Sequence, residues 1–196
     1  MWDERYATPE YVYGTEPNDF LASVASQIPR GRVLSIADGE GRNGVFLATL
    51  GHDVTSVDAS AVGLAKAEQL AATRGVRLTT QVVDLADYEI EPEAWSGIVS
   101  IFVHLPPPLR RRVHAQVVRG LAPGGLFILE AYSPEQLRHG TGGPSNPELL
   151  PTLDALRAEL EGLEFTHAAA LEREVQEGQF HRGRSAVVQV VARKPA

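Results

Sequence analysis

A glycine-rich turn constrains this chain more than any other feature. Gly39-Glu40-Gly41-Arg42-Asn43-Gly44 follows an apolar strand pattern, Arg32 to Ala37, and opens a helical stretch that reaches about Leu50. The GxGxxG spacing puts glycine where the backbone turns sharply and where a ligand comes too close for a Cβ. The helix that follows begins with free N–H groups. A second strand pattern, Asp53 to Val57, leads into Asp58. That acid lies about twenty residues beyond the turn, the distance at which a carboxylate of a βαβ unit accepts from both hydroxyls of a ribose. Each feature alone also fits a plain tight turn, with Asp58 leading into a helix at Ala59-Ser60. Their joint spacing predicts an adenosine-containing ligand at the C-terminal ends of the strands.

The pattern around the turn sets the architecture. An alanine-rich helix, Ser60 to Thr73, precedes a third strand, Arg77 to Val83, and a fourth, Gly97 to Val103. The fourth is a continuous apolar run of the kind that a strand buried on both faces shows. Leu109, Val113, Val117 and Leu121 then form one apolar helical stripe, and Pro123-Gly124-Gly125 turns the chain into a fifth strand, Leu126 to Ala131. This alternation reads as a parallel sheet with helices on both faces. Beyond a Pro/Gly-rich loop, Ser133 to Pro151, come a helix carrying Leu153, Leu156 and Leu160 and two last strands, Glu164 to Leu171 and Ser185 to Ala192. The segment joining those strands is too short for a crossover helix, so they pair antiparallel. The expected fold is α/β: one Rossmann-like domain over residues 1–196, with a mostly parallel seven-stranded sheet closed by a C-terminal antiparallel hairpin. Residues 1–30 form a Tyr-rich lead and a helix at Pro17 to Gln27, 31–131 the cofactor-binding core, and 132–196 the substrate loop, helix and hairpin.

Composition narrows the function. The formal charge of −7 argues against nucleic acid or an anionic membrane as partner, and no apolar run is long enough to span a bilayer. With no cysteine, the chain has neither thiolate metal site nor cysteine nucleophile, and its six histidines show no metal-site spacing. A polar, acidic N-terminus is not a secretory signal. The expectation is a cytoplasmic monomer or homodimer acting on a small molecule.

The turn by itself suits a nicotinamide cofactor, a nucleotide bound by a non-catalytic sensor, or S-adenosylmethionine. The terminal hairpin and the short chain favour the last. So does Val82-Val83-Asp84-Leu85, where an acid can accept from an adenine amino group while a leucine packs on the ring; the same acid also suits a turn cap. In order, VLSIADGEGRNGVFLA, SVDAS, VVDLADY, the Ser96 to Pro106 stretch and LAPGGLFILEAY resemble the successive motifs of class I S-adenosylmethionine-dependent methyltransferases. YGTEPNDFL, TGGPSNPELL and HRGRSAVVQVVARK look like the small tellurite-resistance and thiopurine-methyltransferase-like branch.

The resemblance implies that Gly39 and Gly41 line the cofactor's methionine part, that Asp58 holds its ribose, and that Asp84 and Leu85 hold its adenine; Asn43 and Ala59 are further cofactor-binding candidates. The sequence departs from the family at Ser35, where an acid is usual, and at Ala37, where glycine is usual. Asp38 is then the candidate for the cofactor's ammonium group. The implied reaction needs alignment of acceptor and methyl group and exclusion of water, with a base only where the acceptor arrives protonated. Candidates for that side are His104 and Tyr132, each ending a strand, and the group His181, Arg182 and Arg184, where two guanidiniums could fork an oxyanion. The implied acceptor is a small thiol or chalcogen oxyanion. Arg110-Arg111-Arg112 reads as an exposed helix face.

Overall fold

A computed structural model describes residues 2–178 and 181–196. The lead contains a short helix α1 (Trp2–Tyr6) and α2 (Asp19–Val24), whose N-cap Asn18 accepts from the Leu21 amide. Then follow β1 (Arg32–Ile36), α3 (Arg42–Thr49), β2 (Asp53–Asp58), α4 (Ala61–Thr73), β3 (Thr79–Val82), β4 (Trp95–Ile101), α5 (Pro107–Gly120), β5 (Leu121–Tyr132), α6 (Leu153–Glu159), β6 (Glu164–Glu177) and β7 (His181–Arg193). The seven strands form one sheet in the order β3-β2-β1-β4-β5-β7-β6. The first five pair parallel, and β7 runs antiparallel to both neighbours. The order reverses between β1 and β4, and the crevice at such a switch point is where open α/β sheets bind ligands.

Alternation along the strands divides the core in two. Leu34 and Ile36 of β1, Phe127 and Leu129 of β5 and Val190 of β7 pack with Val113 and Val117 of α5 and Leu156 of α6. Val33, Leu126, Ile128 and Val191 pack on the other face with Phe20 and Leu21 of α2 and Leu47 of α3. Helices therefore cover both faces, as expected.

Two expectations are revised. First, the terminal strands are much longer than their apolar runs, because β6 and β7 continue through the polar stretches Glu172 to Glu177 and His181 to Arg184. β5 stops at Tyr132, opposite Val187, so the far end of the hairpin projects as a two-stranded ribbon beyond the sheet. Residues 179 and 180, which join the two strands, lie outside the described residues. Second, Arg110 is buried on α5, where it forks onto Glu159 of α6 while His114 meets the same carboxylate at 2.7 Å. Arg111 and Arg112 stay exposed as expected, with Arg112 donating to the carbonyls of Leu85 and Ala86.

Candidate cofactor and acceptor site

A cavity of about 710 Å³ opens at the C-terminal ends of β1, β2 and β4. Its floor is the glycine turn. Gly39 and Gly41 take φ of 57° and 83°, in the left-handed region that a side chain disfavours. A Cβ on Gly41 would lie 2.3 Å from Cβ of Ala67, so the turn can approach α4 only without one. Ala37 also has a positive φ, 48°, and so keeps the backbone shape of the glycine it replaces at a cost of roughly 1–2 kcal/mol.

Asp58 ends β2 at the cavity wall. One of its carboxylate oxygens accepts from the Gly39 amide and the other from the Ser60 amide, both at 2.8 Å. Burial raises its pKa above the ordinary 3.8, and those two amides work against the rise. Two amides leave further lone pairs on a carboxylate that has about four acceptor sites, so a ribose can share it. Ala59, Asp84 and Leu85 line the same cavity. Asp84 also caps its own turn, accepting from the Ala86 amide at 2.7 Å, so the site and turn-cap readings coexist.

Asp38 lines the cavity too. Its carboxylate accepts from Ser35 Oγ at 2.7 Å, Ser56 Oγ at 2.6 Å and the Gly44 amide at 3.2 Å. Burial is the main cause of its raised pKa, opposed by these donors. Asp38 thereby ties β1, β2 and α3 together beneath the turn. Ser35 stands where an acid is usual and serves that carboxylate as a donor. Asn43 likewise faces the lead: its side-chain carbonyl accepts from the Asn18 amide at 2.9 Å.

The lead segment roofs the cavity. Asp3 accepts from Ser60 Oγ and the Val62 amide at the start of α4. Lys66 of α4 donates to the carbonyls of Thr8 and Glu10 and pairs with Glu40 of the turn, which accepts from the Val12 amide at 2.8 Å. Trp2 and Tyr6 stack at 5.8 Å and line the cavity above Asp58.

The far wall is apolar and aromatic: Tyr13, Phe102, Leu105, Leu109, Pro144 and Leu149 line it with His104 and His181. Phe102, with φ of 54°, is in the left-handed region, a strain that turns its ring toward His181, 4.6 Å away. Burial lowers the pKa of His181 to about 4, and its Nδ1 is buried with no hydrogen-bond partner. His181 is thus a neutral imidazole at the cavity wall whose buried Nδ1 has no partner among the described residues.

Four other candidates are placed away from a free position at the cavity. His104 Nε2 accepts from the Tyr132 amide at 3.1 Å, while burial lowers its pKa to about 3 against a backbone hydrogen bond with Phe102. With the lone pair of the neutral ring taken by that amide, it fastens the end of β4 to the end of β5 and has none to offer an acceptor. Tyr132 is wholly buried behind the wall, packed on Phe102 and His104. Arg182 and Arg184 lie on the outer side of β7, as strand alternation requires once His181 faces inward. Arg182 donates to the Gly178 carbonyl and Arg184 to Glu172, and neither lines the cavity. Sequence reasoning gives no role to Arg42, inside the glycine motif, or to its partner Glu177, in the segment between the last two strand patterns. A separation of 135 residues leaves no local signal.

Residues 33–125 match the model of a methyltransferase domain family. That match spans β1 to the start of β5, the part of the sheet that carries the glycine turn, Asp58 and Asp84. Over these residues the chain matches a methyltransferase domain, and this supports a class I S-adenosylmethionine-dependent methyltransferase. Its fold is also that of solved structures with low identity. One belongs to a study of the conversion of a disulfide bond into a thioacetal group during echinomycin biosynthesis (18% identity, 98% of this chain and 88% of that one, TM-score 0.78). Another is TehB from Haemophilus influenzae (19% identity, 98% and 65%, TM-score 0.74). A third is the N-methyltransferase NodS from Bradyrhizobium japonicum (15% identity, 90% and 93%, TM-score 0.67). Among curated proteins, none matches the chain in sequence. No helix among the described residues is long and apolar enough to cross a membrane, and these residues hold no metal-ligating cluster.

Proposed function

We propose that this methyltransferase acts on a small, uncharged, soft nucleophile, a thiol or its selenium counterpart, and that Asp58, Ala59, Asp84 and Leu85 hold the adenosine of S-adenosylmethionine over the turn at Gly39 and Gly41. The chemical character of the far wall carries this reading. It is aromatic and apolar, and each guanidinium lining the cavity already has a partner: Arg42 pairs with Glu177 and Arg5 donates to the Tyr13 hydroxyl at 3.0 Å. Arg182 and Arg184, which an oxyanion would need, point away. The neighbour from the study of a disulfide converted into a thioacetal is consistent with sulfur chemistry on this fold.

The cofactor supplies an electrophilic methyl group. The chain's part is to position the acceptor and exclude water, which the lead roof and aromatic wall suit. The His181 ring, turning to bring its unpartnered Nδ1 from the buried side into the cavity, accepts a hydrogen bond from the acceptor's S–H and aims the sulfur lone pair. An imidazole held at about 4 does not ionise a thiol beforehand. It suffices to take the much more acidic proton left on sulfur after the methyl group arrives.

The test is calorimetry with S-adenosylhomocysteine and with NADH, followed by an acceptor panel of thiophenol, 2-mercaptoethanol, selenite and tellurite. Product S-adenosylhomocysteine is the readout. Binding of S-adenosylhomocysteine without NADH, and turnover with the thiols, is the expected result. Turnover with the oxyanions and none with thiols would overturn the acceptor assignment.

A further inference from the structure

The ribbon that carries His181 has a mechanical problem. Past Val187, β7 leaves β5 itself; Ser133 and Gln136 still bond the Ala186 backbone and Thr141 reaches Ser185 and the Arg184 carbonyl, but on that side no backbone hydrogen bond reaches His181 to Gly183 among the described residues, and these pair with β6. Two-stranded ribbons are marginally stable alone. An imidazole at the tip needs another anchor to be held to within a fraction of an ångström of a reacting atom.

The structure supplies one from the opposite side of the cavity. Glu177, the last residue of β6, is the cross-strand partner of His181, and cross-strand partners project from the same face. Its carboxylate pairs with the guanidinium of Arg42, the first residue of α3 after the glycine turn. Both side chains are almost wholly buried, at 3% and 8% exposure. The other Glu177 oxygen accepts from Asn18 Nδ2 at 2.8 Å and Arg173 at 3.1 Å. Asn18 and Arg173 also bind Glu130 of β5, which Gln189 reaches too. Two carboxylates and two guanidiniums thus balance in charge. Arg42 also donates to the Glu16 carbonyl of the lead, and a Cβ at Gly178 would lie 2.2 Å from the Val12 carbonyl. Lead, glycine turn and ribbon tip therefore converge on the Arg42–Glu177 pair.

Burying such a cluster has a large desolvation cost, and apolar replacements of similar volume are often no less stable. What an apolar cluster lacks is direction, since two charged, forked groups fix distance and angle. We propose that Arg42 and Glu177 are positioning residues: they lock the ribbon tip, and with it His181, to the first turn of the cofactor-binding helix, so that the state of the cofactor site is felt at the acceptor wall. This rests on the reading of His181 as an acceptor-side group.

The experiment compares the parent, Glu177→Gln, Arg42→Lys and the apolar double variant Arg42→Met/Glu177→Leu, the last chosen to fold without the ion pair. S-adenosylhomocysteine affinity is measured by calorimetry, thiophenol turnover by steady-state kinetics, and the His181 ring by histidine Cε1–H NMR, assigned with His181→Phe. In Glu177→Gln and the double variant, S-adenosylhomocysteine affinity should stay within a few-fold. Thiophenol kcat should fall about 100-fold, the loss expected when a positioned group is displaced by about 1 Å. Arg42→Lys, which keeps the charge, should recover part of it. Saturating S-adenosylhomocysteine should move the His181 signal in the parent and much less in the double variant. Parent-like kcat and an unchanged His181 response in a folded double variant would overturn the inference. A parent that binds no S-adenosylhomocysteine would instead sink the functional reading beneath it.

Discussion

On the floor of the cavity, position comes from the backbone: Gly39 and Gly41 hold left-handed conformations, α4 packs against the bare Cα of Gly41, and Asp58 is aimed by two amides within two residues of itself or across the turn. On the far wall, the proposed acceptor side, position comes from side chains far apart in sequence. His181 rides on the ribbon beyond β5, held by a buried ion pair 135 residues apart, by ring contacts to Tyr13, Phe102 and Tyr132, and by Gln136 and Thr141 on the neighbouring backbone. Adenosine is common to every reaction of this cofactor, so a rigid, locally encoded floor suits it. The acceptor is what distinguishes one methyltransferase from another, and its wall is assembled by tertiary contacts that can change without disturbing the floor.

The contrast breaks if the floor proves insensitive to its aimed acid. Asp58→Ala removes up to two hydrogen bonds to a charged acceptor, each about 1.5–3 kcal/mol, so the dissociation constant of S-adenosylhomocysteine should rise by roughly two orders of magnitude. The Gly39 and Ser60 amides lose their acceptor as well, so the melting temperature should fall, and Asp58→Asn should recover part of both losses. Parent-like affinity in calorimetry would mean that the ribose lies elsewhere.

A second, smaller effect separates the regions by pH. His104 and His181 titrate at about 3 and about 4, below the ordinary 6.5. As pH falls below 6.5 the unfolded chain takes up their protons first, so stability from the wall is complete above that value and is lost on acidification. Asp38 and Asp58 are shifted the other way, above 3.8, so their contribution is complete below that pH and is lost as pH rises through the folded values. Urea denaturation at stepped pH should show the acid-side loss flattened in His181→Phe and the opposing slope flattened in Asp38→Asn. Identical profiles for the two variants would erase the distinction.

The smallest effect sharpens the boundary of the wall. Arg182→Ala/Arg184→Ala should change thiophenol kcat/KM by less than about twofold, as for surface substitutions away from special features. A rise in KM well beyond that would bring the outer face of the ribbon into the acceptor site.

The local half of this protein was legible before any coordinates. The glycine motif, the acid about twenty residues on and the apolar runs each encode their own backbone state, so the parallel core, the antiparallel closing pair and the cavity at the strand ends could be read from spacing alone. Alternation likewise placed Arg182 and Arg184 on the same side of β7, opposite His181. It could not say which side faced the cavity, because the polar residues that extend β6 and β7 carry no strand signal of their own and are held extended by each other. The same limit applied to Asp38, His104, Tyr132, Arg42, Arg110 and Glu177. Whether a polar side chain points at a ligand, at a backbone amide or at an opposite charge depends on what the rest of the chain brings within about 3 Å, the range of a hydrogen bond. Only the tertiary structure decides that, because desolvation makes each buried polar group take the partner that packing brings to it.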